Sequence, residues 1–175
     1  AEMHNDKHCI KMILEYAQLL STAHRVLDGK EQVVKSKTGR NVRRWVLDDL
    51  QLENTLYSAT HINHPSAVWA RHSIENYNWL AGMLATLCAE YTYRYGKTHK
   101  CQEIGLVATL LVVAPKNFKS TGFTEPTPAM PDDVKVAGNS IASYRNYYIK
   151  NKQHLASWKG KINSRKVPEW FHANI

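Results

Sequence analysis

His4, His8, Lys11, Glu15, Gln18, Thr22 and Arg25 recur at alternating intervals of four and three residues, the spacing that puts side chains on one face of an α-helix. Imidazole, amine, carboxylate and carboxamide groups in a row can transfer a proton, attack an electrophilic carbon or hold a directional hydrogen bond. The flanks are apolar, with Met12, Leu19, Ala23 and Val26 on one side and Met3, Ile10, Ile13, Leu14, Ala17 and Leu20 on the other. A solvated helix face is broad and rich in Lys and Glu, so this narrow line reads as the floor of a cleft. A merely solvated face is the plainer alternative. Glu15 draws attention because a carboxylate held mid-helix could protonate a base or stabilise a cationic sugar intermediate. An ion pair with Lys11, one turn away, is its plainer alternative.

A second set of groups suits metal chemistry. His4, Asp6 and His8 could join His61 and His64 around a divalent ion, since imidazole and carboxylate suit zinc, iron or manganese. Asp6 falls on another side of the helix from His4 and His8, and the spacing is not diagnostic. Histidines that hydrogen-bond across helices or contact phosphate are the plainer alternative. GxxxxGK[ST], GxSxG and PCxxC are all missing, which disfavours P-loop hydrolysis, serine hydrolysis and zinc deamination. No cofactor is called for.

Positioning such groups requires helices, and the periodicity predicts them. The first spans residues 3 to 27 and closes at Asp28-Gly29. Residues 30 to 47 hold two β-branched runs around Lys37-Thr38-Gly39-Arg40 and predict a small hairpin or extended loop. Lys30, Lys35, Lys37, Arg40, Arg43 and Arg44 face Glu31 alone among acids there, with Trp45 beside them. Such a segment can track a phosphate backbone and stack a base, or simply keep the chain soluble. A short helix is predicted within 48 to 59, and a long one from Pro65 to about Tyr95 with Asn63 or His64 as its cap. A nearly all-apolar helix is predicted over 103 to 113. Residues 115 to 132 carry four prolines and no period, so they form a long ordered loop or lid. A last helix is predicted from Asp132 and Asp133 through Tyr148, weakened by Gly138. A tail over 149 to 175 then interleaves lysines and arginines with Trp158 and Trp170.

The whole reads as mainly α: one compact helical bundle over residues 1 to 175 with a small basic hairpin. Twenty-three Lys and Arg against fifteen Asp and Glu give a net charge of +8, which favours an anionic partner such as nucleic acid. Cys9, Cys88 and Cys101 are odd in number and lack CxxC spacing, as suits a reducing compartment. The longest apolar stretch, 104 to 114, is about half of what spans a bilayer. These features predict a cytoplasmic protein with no membrane partner.

Asp6-Lys7-His8, then Glu15 seven residues after that histidine, then Gly29-Lys30, resembles the first helix of pyrimidine-dimer DNA glycosylases of the phage endonuclease V type. The resemblance extends to the stretch from His61 to the Arg94 and Gly96 pair, and the whole chain is similar to uncharacterised phage proteins. It implies a compact helical domain in a bacterial host, acting on double-stranded DNA as a glycosylase and abasic-site lyase. An amine would attack the sugar carbon and form a Schiff base, with the glutamate assisting bond cleavage and elimination. The family uses the amine of its mature N-terminus, reached through a short segment before the helix, whereas Ala1 here stands at the helix start. Either a segment precedes Ala1, or Lys11 is the amine, or the activity differs in kind. Gln18 also stands where the family carries an arginine.

The reading that results is a nucleic-acid-processing protein of the DNA repair glycosylase and lyase kind. Glu15, His8, His64 and Lys11 are its catalytic candidates. Gln18, Arg71, Asn76, Arg40, Arg43, Arg44, Arg145, Lys152 and Trp158 are its nucleic-acid contacts. Two alternatives stay open: a non-catalytic nucleic-acid-binding or host-interaction protein, and a metal-dependent hydrolase using His4, His8, His61 and His64.

Overall fold

The computed structural model describes residues 1–172. Helix α1 runs Asp6–Asp28 and is followed by strands β1 (Lys30–Lys35) and β2 (Asn41–Val46). Then come α2 (Leu50–Thr55), α3 (Pro65–Ala70), α4 (Ile74–Tyr95), α5 (Lys100–Glu103), α6 (Leu106–Val112), α7 (Ser140–Asn151) and α8 (Glu169–His172). The domain is mainly α, and its two strands pair only with each other, antiparallel. No helix among the described residues is long and apolar enough to cross a membrane.

The core forms where α1 and α4 lie against one another. Cys9, Ile13, Ala17, Leu20 and Ala23 line the inner face of α1 at helical spacing and meet Tyr77, Leu80, Leu84, Leu87 and Cys88 of α4. Leu106, Val107 and Leu110 of α6 close the same cluster. Inside it, His24 shares a polar knot with Tyr77: its Nε2 lies 2.9 Å from the Tyr77 hydroxyl and 3.1 Å from the Val113 carbonyl. Burial pushes the His24 imidazole down to about 4, so the ring is neutral.

Four predicted elements differ from those found. The first helix begins at Asp6 rather than residue 3, because the Asn5 side chain accepts the His8 amide and caps it. The long helix from residue 65 is two helices: Ser73 accepts the Asn76 amide and starts α4 afresh, leaving Arg71 as the end of α3. The last helix starts at Ser140, since Gly138 sits at φ 68° and Asn139 caps the Ala142 amide. Residues 132–134 form only a 3₁₀ turn. The helix predicted over 103 to 113 is confined to α6, Leu106–Val112, because Gly105 at φ 77° separates it from the short α5.

The proline-rich stretch is an ordered strap. Asp28 accepts the Lys116 and Asn117 amides, Ser73 Oγ donates to the Gly122 carbonyl, and Asn76 pairs with Thr124 through both ends of its carboxamide.

Two buried guanidiniums tie the remaining segments down. Arg25 donates to the carbonyls of Trp45, Glu53, Leu56 and Tyr57 and to Glu53 Oε2, joining α1 to the hairpin base and to α2. Arg94, fully buried, donates to Glu90, Asp6 and the carbonyls of Glu2 and His4. Arg165 doubles the contact with Glu90, at 2.8 and 3.0 Å, and holds that carboxyl below its usual range against the opposing effect of burial.

Candidate functional site

The polar stripe of α1 points away from the core and is covered in two places by different elements. Over its first half lies α7, where the Tyr148 hydroxyl bonds His8 Nδ1 and Lys152 stands close enough to disfavour the charged imidazole. Burial is the larger cause of the lowered His8 pKa. Lys152 itself sits 5.0 Å over the Tyr147 ring. His4 precedes the helix and bonds Tyr16 and the Ala1 carbonyl; burial holds its imidazole down to about 4. Tyr148 was not among the sequence candidates, although Tyr144, Tyr147 and Tyr148 recur at helical spacing and mark an aromatic face.

Over the second half of the stripe lies the segment after α2. The Thr60 amide donates to Thr22 Oγ1 at 3.2 Å, and Arg25 is spent on the clamp described above. Thr22 is about 21 Å along the axis from His8 at 1.5 Å per residue. His61, next to Thr60, is therefore far from His8, and the structure does not bring the two histidine sets together. Among the described residues no group of three or more His, Cys, Asp or Glu could hold a metal. Between the covered ends, Lys11 and Glu15 form an ion pair of 2.8 Å at the surface, with Gln18 half-buried beyond them. That carboxylate raises the Lys11 pKa.

A concavity lies between the hairpin and the segment leading into α3. It is lined by Arg43, Trp45, Ala59, Thr60, His61, Ile62, Asn63 and His64, with a volume of about 500 Å³. The cleft expected against α1 is thus displaced to the hairpin side. Strand alternation explains its wall: Glu31, Val33, Arg43 and Trp45 share one face of the ribbon, while Gln32, Val34, Val42 and Arg44 share the other. The Arg43 guanidinium sits 5.6 Å over the Trp45 ring and 3.2 Å from Glu31, its diagonal neighbour across the strands. A five-residue turn closes the ribbon, with Ser36 and Arg40 bonded and Gly39 at φ 79°.

The far wall of the groove is a strained turn. His61 adopts φ 46°, a left-handed conformation uncommon outside glycine, and its Nδ1 lies 2.7 Å from the Thr60 hydroxyl. His64 caps α3 by accepting the Ser66 amide at 3.2 Å. Arg71 donates to the Ile62 carbonyl at 2.6 Å and so braces this turn from behind.

The charge of the ribbon is largely uncompensated. Glu31 takes Arg43 and Asp48 takes Lys30, whereas Lys35, Lys37, Arg40 and Arg44 form no ion pair among the described residues. All four are exposed.

Two proposed contacts are corrected by burial. Asn76 is 0 % exposed and fully engaged with Trp69 and Thr124. Trp158 is 3 % exposed, packs on Phe171 and donates to the Met3 carbonyl at 3.2 Å, so it pins the tail to the core. Arg145 lies 5.6 Å over the Trp170 ring on α7, away from the hairpin groove, beside a smaller hollow of about 240 Å³. The last three residues of the expected tail, 173–175, lie outside the described residues.

Compared with known proteins, the chain matches no family model, no curated protein and no solved structure.

Proposed function

We propose that this chain binds nucleic acid through the hairpin and the groove at its base. The observation that carries the reading is the Arg43 and Trp45 pair at the wall of that groove, on a ribbon whose exposed Lys35, Lys37, Arg40 and Arg44 form no ion pair among the described residues. A guanidinium and an indole side by side offer a phosphate contact and a stacking surface together. His61, Asn63 and His64 across the groove add hydrogen-bonding groups within reach of a base edge. The Arg25 clamp holds the ribbon base by its Trp45 carbonyl, so the ribbon is presented on a fixed support.

The lyase chemistry implied by the sequence resemblance asks for an amine that gives up its proton readily. Lys11 instead is paired with Glu15 and holds its proton more tightly than usual. Lys11 is thus poorly suited to be that amine, and binding through the hairpin groove is the function the geometry supports best.

The test is fluorescence anisotropy of labelled oligonucleotides with the full chain and with an Arg40→Ala, Arg43→Ala, Arg44→Ala triple variant. The triple variant should lose affinity by about tenfold or more at low salt, because each cation lost returns a counterion to the strand. Equal affinity for both proteins would overturn the reading.

A further inference from the structure

The outer part of the hairpin stands in water. β1 and β2 pair over six residues each, a length of about 20 Å. From Gln32 to Arg44, every hydrogen bond and ion pair among the described residues stays within the ribbon. Val33 is 66 % exposed, and Gln32, Lys35, Lys37, Arg40 and Arg44 are exposed with it. Two strands with no third beside them are marginal on their own, and the Arg25 clamp at the root keeps this pair standing.

Its two faces differ. Glu31, Val33, Arg43 and Trp45 share the face that walls the groove, so the other face is turned away from residues 59–64. On that outward face Gln32 stands directly opposite Arg44, and Val34 directly opposite Val42. Opposed side chains are about 5 Å apart and successive pairs on one face about 7 Å, which is two base-pair steps at ~3.4 Å each. Among the described residues neither Gln32 nor Arg44 has a side-chain hydrogen bond or an ion pair. Glu31 lies on the groove face and takes Arg43. The outward face thus sets a carboxamide and a guanidinium beside two isopropyl groups, with no acid among the strand residues that share it.

We propose that this ribbon enters the major groove of double-stranded DNA and that Gln32 and Arg44 read base edges there, which makes binding sequence-selective. The inference rests on the nucleic-acid reading above and says which nucleic acid is bound and which residues choose the site. The major groove of B-form DNA is about 12 Å wide and admits a two-stranded ribbon. A glutamine carboxamide pairs with adenine N6 and N7, an arginine guanidinium with guanine O6 and N7, and apolar carbons pack on a thymine methyl. Val34 and Val42 supply those carbons. Lys37 and Arg40 at the tip, with Lys35 and Arg43 along the edges, are placed to meet the phosphates that border the groove. An RNA duplex keeps its major groove deep and narrow, and a single strand has no groove to enter.

A duplex DNA library with a randomised centre, enriched on the full chain, supplies the probe. Sequencing should return a preferred site with guanine and adenine close together. Anisotropy then compares the selected duplex with the unselected library, with the RNA duplex of the same sequence and with its separate strands. The selected duplex should bind at least about tenfold tighter than each of these. Gln32→Ala and Arg44→Lys should each weaken binding to the selected duplex about five- to 150-fold, the range for one bidentate base contact. Arg44→Lys keeps the charge, so its loss reports the guanidinium fork and not the attraction to phosphate. Lys37→Ala should instead weaken selected and unselected duplex alike. Gln32 and Arg44 are both exposed, so their variants keep the fold. A selected site bound equally by the parent, Gln32→Ala and Arg44→Lys would overturn the base reading, as would tighter binding to the RNA duplex or to a single strand. If the arginine triple variant weakens binding while selection returns no preferred site, the hairpin reading stands and the base reading falls. If no oligonucleotide binds the full chain, both fall.

Discussion

Replacing Arg25 with Met removes five donated hydrogen bonds, at 2.6 to 3.0 Å, from a side chain that is 5 % exposed. Methionine has nearly the same reach, so packing along the stem is kept and the loss reports on the guanidinium. Glu53 is left with only the Leu47 amide on its Oε2, and the carbonyls of Trp45, Leu56 and Tyr57 lose a charged donor. Losing five hydrogen bonds donated by a buried cation, with the Glu53 carboxylate left behind at 29 % exposure, costs about 3–5 kcal/mol. For a chain of this size that is a fall of about 6–20 °C in Tm. Urea unfolding followed by circular dichroism measures it directly. A second variant combining Arg25→Met with Glu53→Leu should recover about 1 kcal/mol or more, because it removes the stranded carboxylate as well. A loss below about 1 kcal/mol with an unchanged denaturant slope would show that Arg25 does not hold the hairpin to the bundle, and the fixed support inferred for the groove would go with it.

Acid should weaken the fold through His24. Its imidazole is neutral in the folded chain, held at about 4, whereas the unfolded chain binds a proton near 6.5. The contribution is complete above pH 6.5, is lost as pH falls toward about 4, and levels off below that, with a total of about 3 kcal/mol. His24→Gln should flatten the stability curve over that window relative to the parent; parallel curves would contradict the neutral buried ring. Glu15→Gln should change stability by no more than about 0.5 kcal/mol, since its partner Lys11 is 68 % exposed and the pair is an ordinary surface one. The same variant should bind oligonucleotides as the parent does, and a large change in affinity would place Glu15 in the interface.

The helical architecture and the hairpin were legible because each rests on local signals. The apolar spacing of α1, the Asp28-Gly29 stop, and paired β-branched runs around a glycine turn leave few alternatives. The break before α4 carried a weaker signal, Ser73 followed three residues later by Asn76, which continuous apolar periodicity on both sides obscured. The site was harder. A buried arginine that spends its donors on backbone carbonyls and a carboxylate and one that faces a ligand have the same sequence spacing, so Arg25 entered the polar stripe on equal terms with Lys11. Trp158 and Asn76 were misplaced for a related reason: composition cannot tell an aromatic that pins a tail from one that meets a base, and burial decides. The Arg43 and Trp45 pair was readable, since alternate residues of a strand share a face. The turn at His61 was not, because its left-handed backbone depends on Thr22, Thr60 and Arg71 contacts that come together only in the fold.

The most direct test of the central claim is the salt dependence of binding to a duplex DNA oligonucleotide, for the parent and for the Arg40, Arg43 and Arg44 triple alanine variant. Each phosphate contact adds about 0.9 to the slope of log K against log salt for a duplex. The account predicts a steep negative slope for the parent, shallower by about 3 in the variant. Identical slopes in the two proteins would show that the ribbon makes no phosphate contact, and would contradict it.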